Sequence, residues 1–247
     1  LSEALASDYL SSFPLHSPDS LRLRVAELLA ANGCHEIITN SLTKPHYSGL
    51  YKADPNLEDV RILNHLSEDL SVMRQSLVFS GLEVVVHNLN RRQRDLKLME
   101  FGKTYHLKGE RYSEQEQLAL FLTGNNTTEN WLEPTRPVRF HDLAALVAKV
   151  LGLMRVTKIE TADADPSLFE YGIQYWVNKK PIASAGLIKT AITRSMDCRQ
   201  PVFYAQFDWK YLLKQYSSTV EYKEVSRFPE VRRDLSLVLD KSIRFEE

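Results

Sequence analysis

Gly102-Lys103-Thr104 has the form of the end of a phosphate-binding loop. That loop requires a glycine five residues before Gly102 and a helix opening at the lysine. Position 97 is Lys97, and Tyr105 and Leu107 continue the alternation of a strand, so the tripeptide does not qualify. No G-x-G occurs, which removes the dinucleotide fingerprint. The seven histidines contain no H-x-H or H-E-x-x-H pairing, and Cys34 and Cys198 stand apart without C-x-x-C spacing. Neither a zinc site nor a disulfide framework follows, and the cysteines read as buried, reduced thiols, which fits a cytoplasmic protein. Asn125-Asn126-Thr127 matches a glycosylation acceptor, which carries meaning only on a secreted chain. In Asn90-Arg91-Arg92-Gln93-Arg94, the charges of Arg91, Arg92 and Arg94 follow a helix. They read either as a solvated positive cap or as contacts to phosphates or a partner subunit.

The elements that would hold these residues can be traced from periodicity. Ser17-Pro18-Asp19 reads as N-cap, proline at the first helical position and an acid in the first turn. Leu21, Val25, Leu28 and Leu29 then form a helical stripe that stops at Gly33. A strand is expected over 36–42, a short helix over 44–50 and a short strand over 60–63. Leu82, Val85, Val86 and Leu89 form a second stripe, with Ser80 or Ser76 as N-cap. Residues 95–107 read as a strand, and Leu118–Leu122, apolar on both faces, as a central one. A loop over 124–136 follows, with Trp131 expected to anchor it to the body. Then come a helix marked by Leu143, Leu146, Val147, Val150 and Leu151 and closed by Gly152, a strand over 157–161, a hairpin over 173–188, a strand over 202–208 and a helix over 209–215.

The whole chain, 247 residues with 43% hydrophobic and 26% charged, has ordinary globular composition. Its net charge of -1 supplies no global basic field of the kind a free-standing nucleic-acid binder carries. No apolar run reaches the ~20 residues of a membrane span. Leu1-Ser2-Glu3-Ala4 is acidic and lacks methionine, as expected of a cut from a longer chain rather than a signal peptide.

The run Leu66-Ser67-Glu68-Asp69-Leu70-Ser71-Val72-Met73-Arg74-Gln75-Ser76-Leu77, followed by Asn88-Leu89-Asn90-Arg91 and by Asp95-Leu96-Lys97-Leu98-Met99-Glu100-Phe101-Gly102, resembles the β subunit of bacterial phenylalanyl-tRNA synthetase. The likeness is to that subunit's catalytic-like domain, a degenerate relative of the class II synthetase core, and runs from about Leu15 to the C-terminus. It implies an α+β fold, a class II synthetase-like antiparallel sheet flanked by helices. It further implies a lead-in over 1–14, the catalytic-like domain over 15–216, a linker over 217–230, and over 231–247 the truncated start of a ferredoxin-like anticodon-binding domain, with Leu235, Leu237 and Leu239 on one strand.

Active class II enzymes carry a strand of the form E-I-G-x-x-F-R-x-E, whose arginine holds the α-phosphate of ATP. By resemblance, Arg74 lies in the preceding motif, the phosphate-holding arginine is replaced by His106 and the following glutamate by Lys108. A mostly neutral histidine is a poor substitute for a bidentate, permanent cation, and losing one such donor typically costs roughly 10²–10³ in rate. Where active enzymes place a Gly-rich strand and an arginine opening the last helix, this chain has Phe203-Tyr204-Ala205-Gln206-Phe207-Asp208-Trp209-Lys210, bulky enough to fill the space for adenine. The resemblance therefore implies a module with no catalytic, cofactor or metal residues of its own. Its partner would be the synthetase α subunit in an α2β2 assembly that charges tRNA(Phe) using ATP and Mg²⁺, with tRNA met through the assembly. The first helix and strand form the subunit interface in class II enzymes, which places Arg22, Arg24, Leu28 and Ala31 near a partner; a helix packed on its own sheet with one solvated face accounts for them equally. Two other functions compete: an active adenylate-forming domain with an unusual site, and a direct tRNA-binding module.

Overall fold

The computed structural model describes residues 17–217 except 53, 55, 65, 66, 128 and 133, together with 222, 224, 231–238 and 240. The chain divides into two units, with the break after Ser217. The lead-in expected over 1–14 lies outside the described residues.

The first unit is built on a seven-stranded sheet. Its strands are β1 (His35–Glu36), β4 (Leu96–Lys108), β5 (Arg111–Thr123), β6 (Glu160–Asp163), β7 (Phe169–Val177), β8 (Lys180–Ile188) and β9 (Val202–Asp208), in the order β1-β4-β5-β9-β8-β7-β6. All neighbours are antiparallel except β1, which runs parallel to β4. A separate two-stranded ribbon pairs β2 (Leu42–Thr43) with β3 (Val72–Met73). The helices are α1 (Pro18–Ala31), α2 (Tyr47–Leu50), α3 (Val78–Leu89), α4 (Phe140–Leu153), α5 (Thr190–Ser195) and α6 (Trp209–Gln215). This is the α+β arrangement expected, an antiparallel sheet with helices on both faces.

Strand alternation separates two cores. Leu118, Leu120, Leu122, Phe203, Ala205 and Phe207 face α1, α4 and α6. Leu96, Leu98, Ala119, Phe121, Val202 and Tyr204 face α2, α3 and α5. On the second side one row of the register runs Leu98, Phe121, Tyr204, Gly186 across four strands, and the next runs Glu100, Ala119, Gln206, Ser184.

Helix α1 begins as its cap chemistry dictates, with the Ser17 hydroxyl accepting from Ser20 N–H at 3.1 Å, and Gly33 takes φ +84° just past its end. Several expectations need correction. The strand expected over 36–42 is interrupted because Thr39 turns inward to bond a carboxylate, leaving Ile38 93% exposed. The stretch 60–63 forms only a bridge from Arg61 to Val72. Helix α3 starts at Val78, with the Ser76 hydroxyl accepting from Val78 N–H at 3.2 Å, whereas Ser80 lies inside the helix. Gly152 continues α4, and Arg155 supplies the positive φ that ends it. Trp131 is 93% exposed and anchors nothing; backbone bonds from Asn126 N–H to Arg136 O and Val138 N–H to Gly124 O hold that loop instead. Helix α5 is too short to show a period in the sequence. In the second unit, Leu235 and Leu237 are exposed and belong to no strand; Leu239 lies outside the described residues.

The approach of α3 to the sheet depends on Gly81, where an added Cβ would run into the Phe121 ring. Overpacking of a filled core typically costs ~1–3 kcal/mol. Gly81→Ala is expected to lower stability in urea denaturation by at least that much; an unchanged midpoint would mean the helix can ride away from the sheet.

Candidate functional site

The face of the sheet beneath α2 and α3 is where the sequence places its altered chemistry. Strand β4 presents Leu96, Leu98, Glu100, Gly102, Thr104 and His106 to it by alternation. Arg74 reaches the same place from the turn between β3 and α3. That turn is held like a strand: Arg74 N–H donates to Ser41 O at 2.9 Å, and its carbonyl accepts from Tyr105 N–H at 2.9 Å.

The Arg74 side chain forms a buried ion pair with Glu100, Nη1 to Oε1 at 2.9 Å, with only 5% and 2% of the two side chains exposed. Its Nε donates to the Lys103 carbonyl at 2.9 Å and its Nη1 to Thr39 Oγ1 at 2.5 Å. The Thr39 hydroxyl in turn lies 2.7 Å from Glu100 Oε1, and Ser80 Oγ is 3.4 Å from the guanidinium. Gly102 leaves room for this pair, since a Cβ there would lie 2.6 Å from Arg74 Nη2 and 2.7 Å from Leu77 Cδ2. Leu77, Phe121 and Tyr204 are buried on the same side, with Tyr204 Oη donating to Gln206 Oε1 at 3.0 Å. On the side of Tyr51, Phe79 and Gln75 the cavity beside Arg74 is about 20 Å³, room for about one water, whereas on the side of Arg22 and Phe101 the pair, with Thr39 and Gly102, lines an open cleft of about 450 Å³.

The other altered positions are not brought to this centre as working groups. His106 is 3% exposed, with one ring nitrogen 3.1 Å from Thr104 Oγ1, and burial holds its pKa below the ordinary value despite Asp54 nearby. Lys108 pairs across the hairpin with Arg111 in full solvent. Phe203 points to the opposite core, so it is Tyr204, with Phe121, that fills the face; a period of two decides this. Sequence reasoning missed Glu100, Thr39 and Ser80. A lone carboxylate in the apolar series Leu96, Leu98, Glu100 was the available signal, because a buried charge needs a partner.

Of the residues expected near a partner, Arg22, Arg24 and Ala31 are exposed on α1 and Leu28 is half-buried. Arg22 lies 4.8 Å over the Phe101 ring and 3.7 Å from Glu36. Around it opens the cleft that the Arg74–Glu100 pair lines from below, walled further by Ile38, Phe101, Tyr105, Trp209 and Leu213. Arg91, Arg92 and Arg94 are exposed at the other end of the sheet. Among the described residues no group of three or more His, Cys, Asp or Glu could hold a metal ion, and no helix is long and apolar enough to cross a membrane.

Comparison with known proteins places this geometry. The family model described as the phenylalanyl tRNA synthetase beta chain CLM domain matches residues 4–209. The chain belongs to that family. It is 36% identical over 242 residues to the phenylalanine–tRNA ligase beta subunit of Bacteroides fragilis, covering 93% of this chain and 30% of that subunit. The same subunit of Bacteroides thetaiotaomicron is 35% identical over 243 residues with the same coverages, and that of Porphyromonas gingivalis 32% identical over 238 residues. The chain thus spans about 30% of the length of these relatives. The fold is that of class II synthetases: pyrrolysyl-tRNA synthetase from Desulfitobacterium hafniense superposes with a TM-score of 0.62 at 14% identity, over 83% of this chain and 75% of that one.

Removing one partner of a buried pair typically costs ~3–5 kcal/mol, whereas replacing both by apolar groups is often neutral or stabilising. Arg74→Met is expected to lose that amount in chemical denaturation, and the double variant Arg74→Met/Glu100→Leu to recover most of it; additive losses would show that the two do not act as a pair. The depressed pKa of His106 means the unfolded chain binds the proton more readily, so stability falls as pH drops below about 6.5. His106→Asn is expected to flatten the fall in melting temperature between pH 7 and 5, and an unchanged slope would assign that fall to other groups.

Proposed function

We propose that this chain is the non-catalytic class II-like core of a phenylalanine–tRNA ligase β subunit, which packs on the α subunit of an α2β2 assembly and supports tRNA(Phe) while the whole enzyme charges it with phenylalanine in the cytoplasm. Within that reading, 15–216 is the catalytic-like domain, 217–230 a linker and 231–247 the beginning of the anticodon-binding module. The reading is supported above all by the buried Arg74–Glu100 pair, which occupies the sheet face together with Leu77, Phe121 and Tyr204.

A nucleotide site needs cationic donors aimed where charge develops on the phosphate. The one buried guanidinium on this face, among the described residues, is committed to Glu100, Thr39 and the Lys103 carbonyl. His106 is buried beside Thr104, and Lys108 faces solvent. The other cations lining the cleft, Arg22 and Lys103, face Glu36 and Glu114, so these residues do not fit ATP and its Mg²⁺, which argues against an adenylate-forming domain and puts the nucleotide chemistry of the ligase outside this chain.

Docking is best supported at the start of the fold. Ile38, 93% exposed, lines the cleft with Arg22, Phe101 and Trp209, and Leu23, 59% exposed, follows Arg22 on α1. An apolar centre with arginine at its rim has the composition of a protein interface. In the full-length β subunit, Leu23→Asp with Ile38→Asp is expected to weaken association with the α subunit at least tenfold by analytical ultracentrifugation without lowering the melting temperature. Undiminished association, or heat from ATP–Mg²⁺ titrated into this chain alone, would overturn the reading.

A further inference from the structure

The end of the sheet where β4 and β9 begin collects positive charge that the fold does not use. Four segments meet there. Gln200 Nε2 donates to Arg94 O at 2.8 Å, Asn125 N–H donates to Asp95 Oδ1 at 2.7 Å, and Asn125 bridges to Pro137. The C-terminal ends of α3 and α5 line one cavity, which Asn90 and Asp197 share. These segments carry Arg91, Arg92, Arg94, Arg139, Arg194 and Arg199, all exposed, and none forms an ion pair among the described residues. A seventh arginine, Arg136, is neutralised by Asp142 through contacts of 2.8 and 2.7 Å. Of the acids nearby, Asp95 is occupied by the Asn125 N–H and Asp142 by Arg136. Asp197, exposed between Arg194 and Arg199, and Glu129 in the connecting loop offset part of the charge, leaving six exposed arginines against two such acids.

Two of these arginines stand where the backbone favours something else. Arg92 follows α3 at φ 65°, a position that favours glycine. Arg139 is the N-cap of α4, where a serine or aspartate side chain would satisfy a free N–H and a cation opposes the helix dipole. Local stability therefore does not account for them. Arg91, whose Nη1 donates to the His87 carbonyl at 3.2 Å, and Arg194, in the last turn of α5, are the ones that helix ends explain.

We infer that this arginine-bearing end is a surface for the phosphate backbone of a structured RNA. Guanidinium groups without an ion pair on three stretches of chain suit a chain of phosphates rather than one small anion, because a small anion needs convergent donors. Apart from Trp131 and Leu132 in the connecting loop, the neighbours Asn90, Gln93, Asn125 and Gln200 are polar, unlike the apolar centre of a protein interface. That the RNA is a transfer RNA rests on the function proposed above; the surface itself stands independently of it.

The test uses the full-length subunit in its assembly, with tRNA(Phe) transcript as probe and dissociation constants measured across roughly 50–200 mM salt. Arg92→Gly and Arg139→Ser are each expected to leave the melting temperature unchanged or raised, yet weaken RNA binding roughly threefold or more, and the combination with Arg94→Gln and Arg199→Gln by at least tenfold. The slope of log affinity against log salt should shrink by roughly 0.7–0.9 for each phosphate that is no longer neutralised. An unchanged slope with the α subunit still bound would overturn this inference alone. Loss of the α subunit with RNA binding intact would reassign the surface to protein and overturn it equally. Failure of the unaltered subunit to bind the α subunit would instead strike the proposed function.

Discussion

The ion pair between Arg74 and Glu100 governs more of this structure than its two residues suggest. A buried charge without a partner is costly, so each side chain requires the other, and every remaining polar atom near them must be satisfied. That requirement draws Thr39 inward from the β1–β2 connection, aligns the Lys103 carbonyl of β4, and fixes the turn that starts α3. It also keeps position 102 small, because the guanidinium lies where a side chain would begin. Three separate pieces of chain are thereby tied to one point on the sheet.

The two faces of the sheet are consequently unlike each other. The side packed by α1, α4 and α6 is an uninterrupted aliphatic and aromatic core. The other side is apolar where Leu98, Phe121 and Tyr204 form one row, then turns polar through Glu100, Gln206 and Ser184 in the next. Its central positions carry side chains whose hydrogen bonds go to one another.

Much of the architecture was legible because its signals are local and periodic. The stripe of Leu21, Val25 and Leu29, the cap at Ser17 and the long alternation through β4 each declare one element. The double burial of Leu118–Leu122 likewise marks a strand covered on both faces. What stayed hidden was set by tertiary contacts. The path at 37–41 depends on a carboxylate distant in the chain, Glu100, which no period reveals. The exposure of Trp131 could not be read from its type, since large aromatics are usually buried. The family likeness pointed to His106 and Lys108 as altered positions; their fates, one buried and one solvated, came from strand direction and hairpin geometry.

The burial of the Arg74–Glu100 pair and the exposure of Ile38 follow from the same geometry. With Thr39 drawn inward to Glu100, an extended chain must turn its neighbours outward, and Ile38 accordingly projects 93% exposed beside α1. Its neighbour on the other side, Asn40, turns its carboxamide back on the chain and accepts from Leu42 N–H at 3.0 Å, which starts the ribbon of β2 and β3. The pair that holds Arg74 against the sheet thus also fixes an apolar side chain at the rim, near Arg22. A nucleotide-binding face and a rigidly presented Ile38 would compete for Arg74, because the guanidinium cannot both meet a phosphate and hold Glu100 and Thr39 in place. Keeping the frame while filling its centre gives this surface its fixed shape.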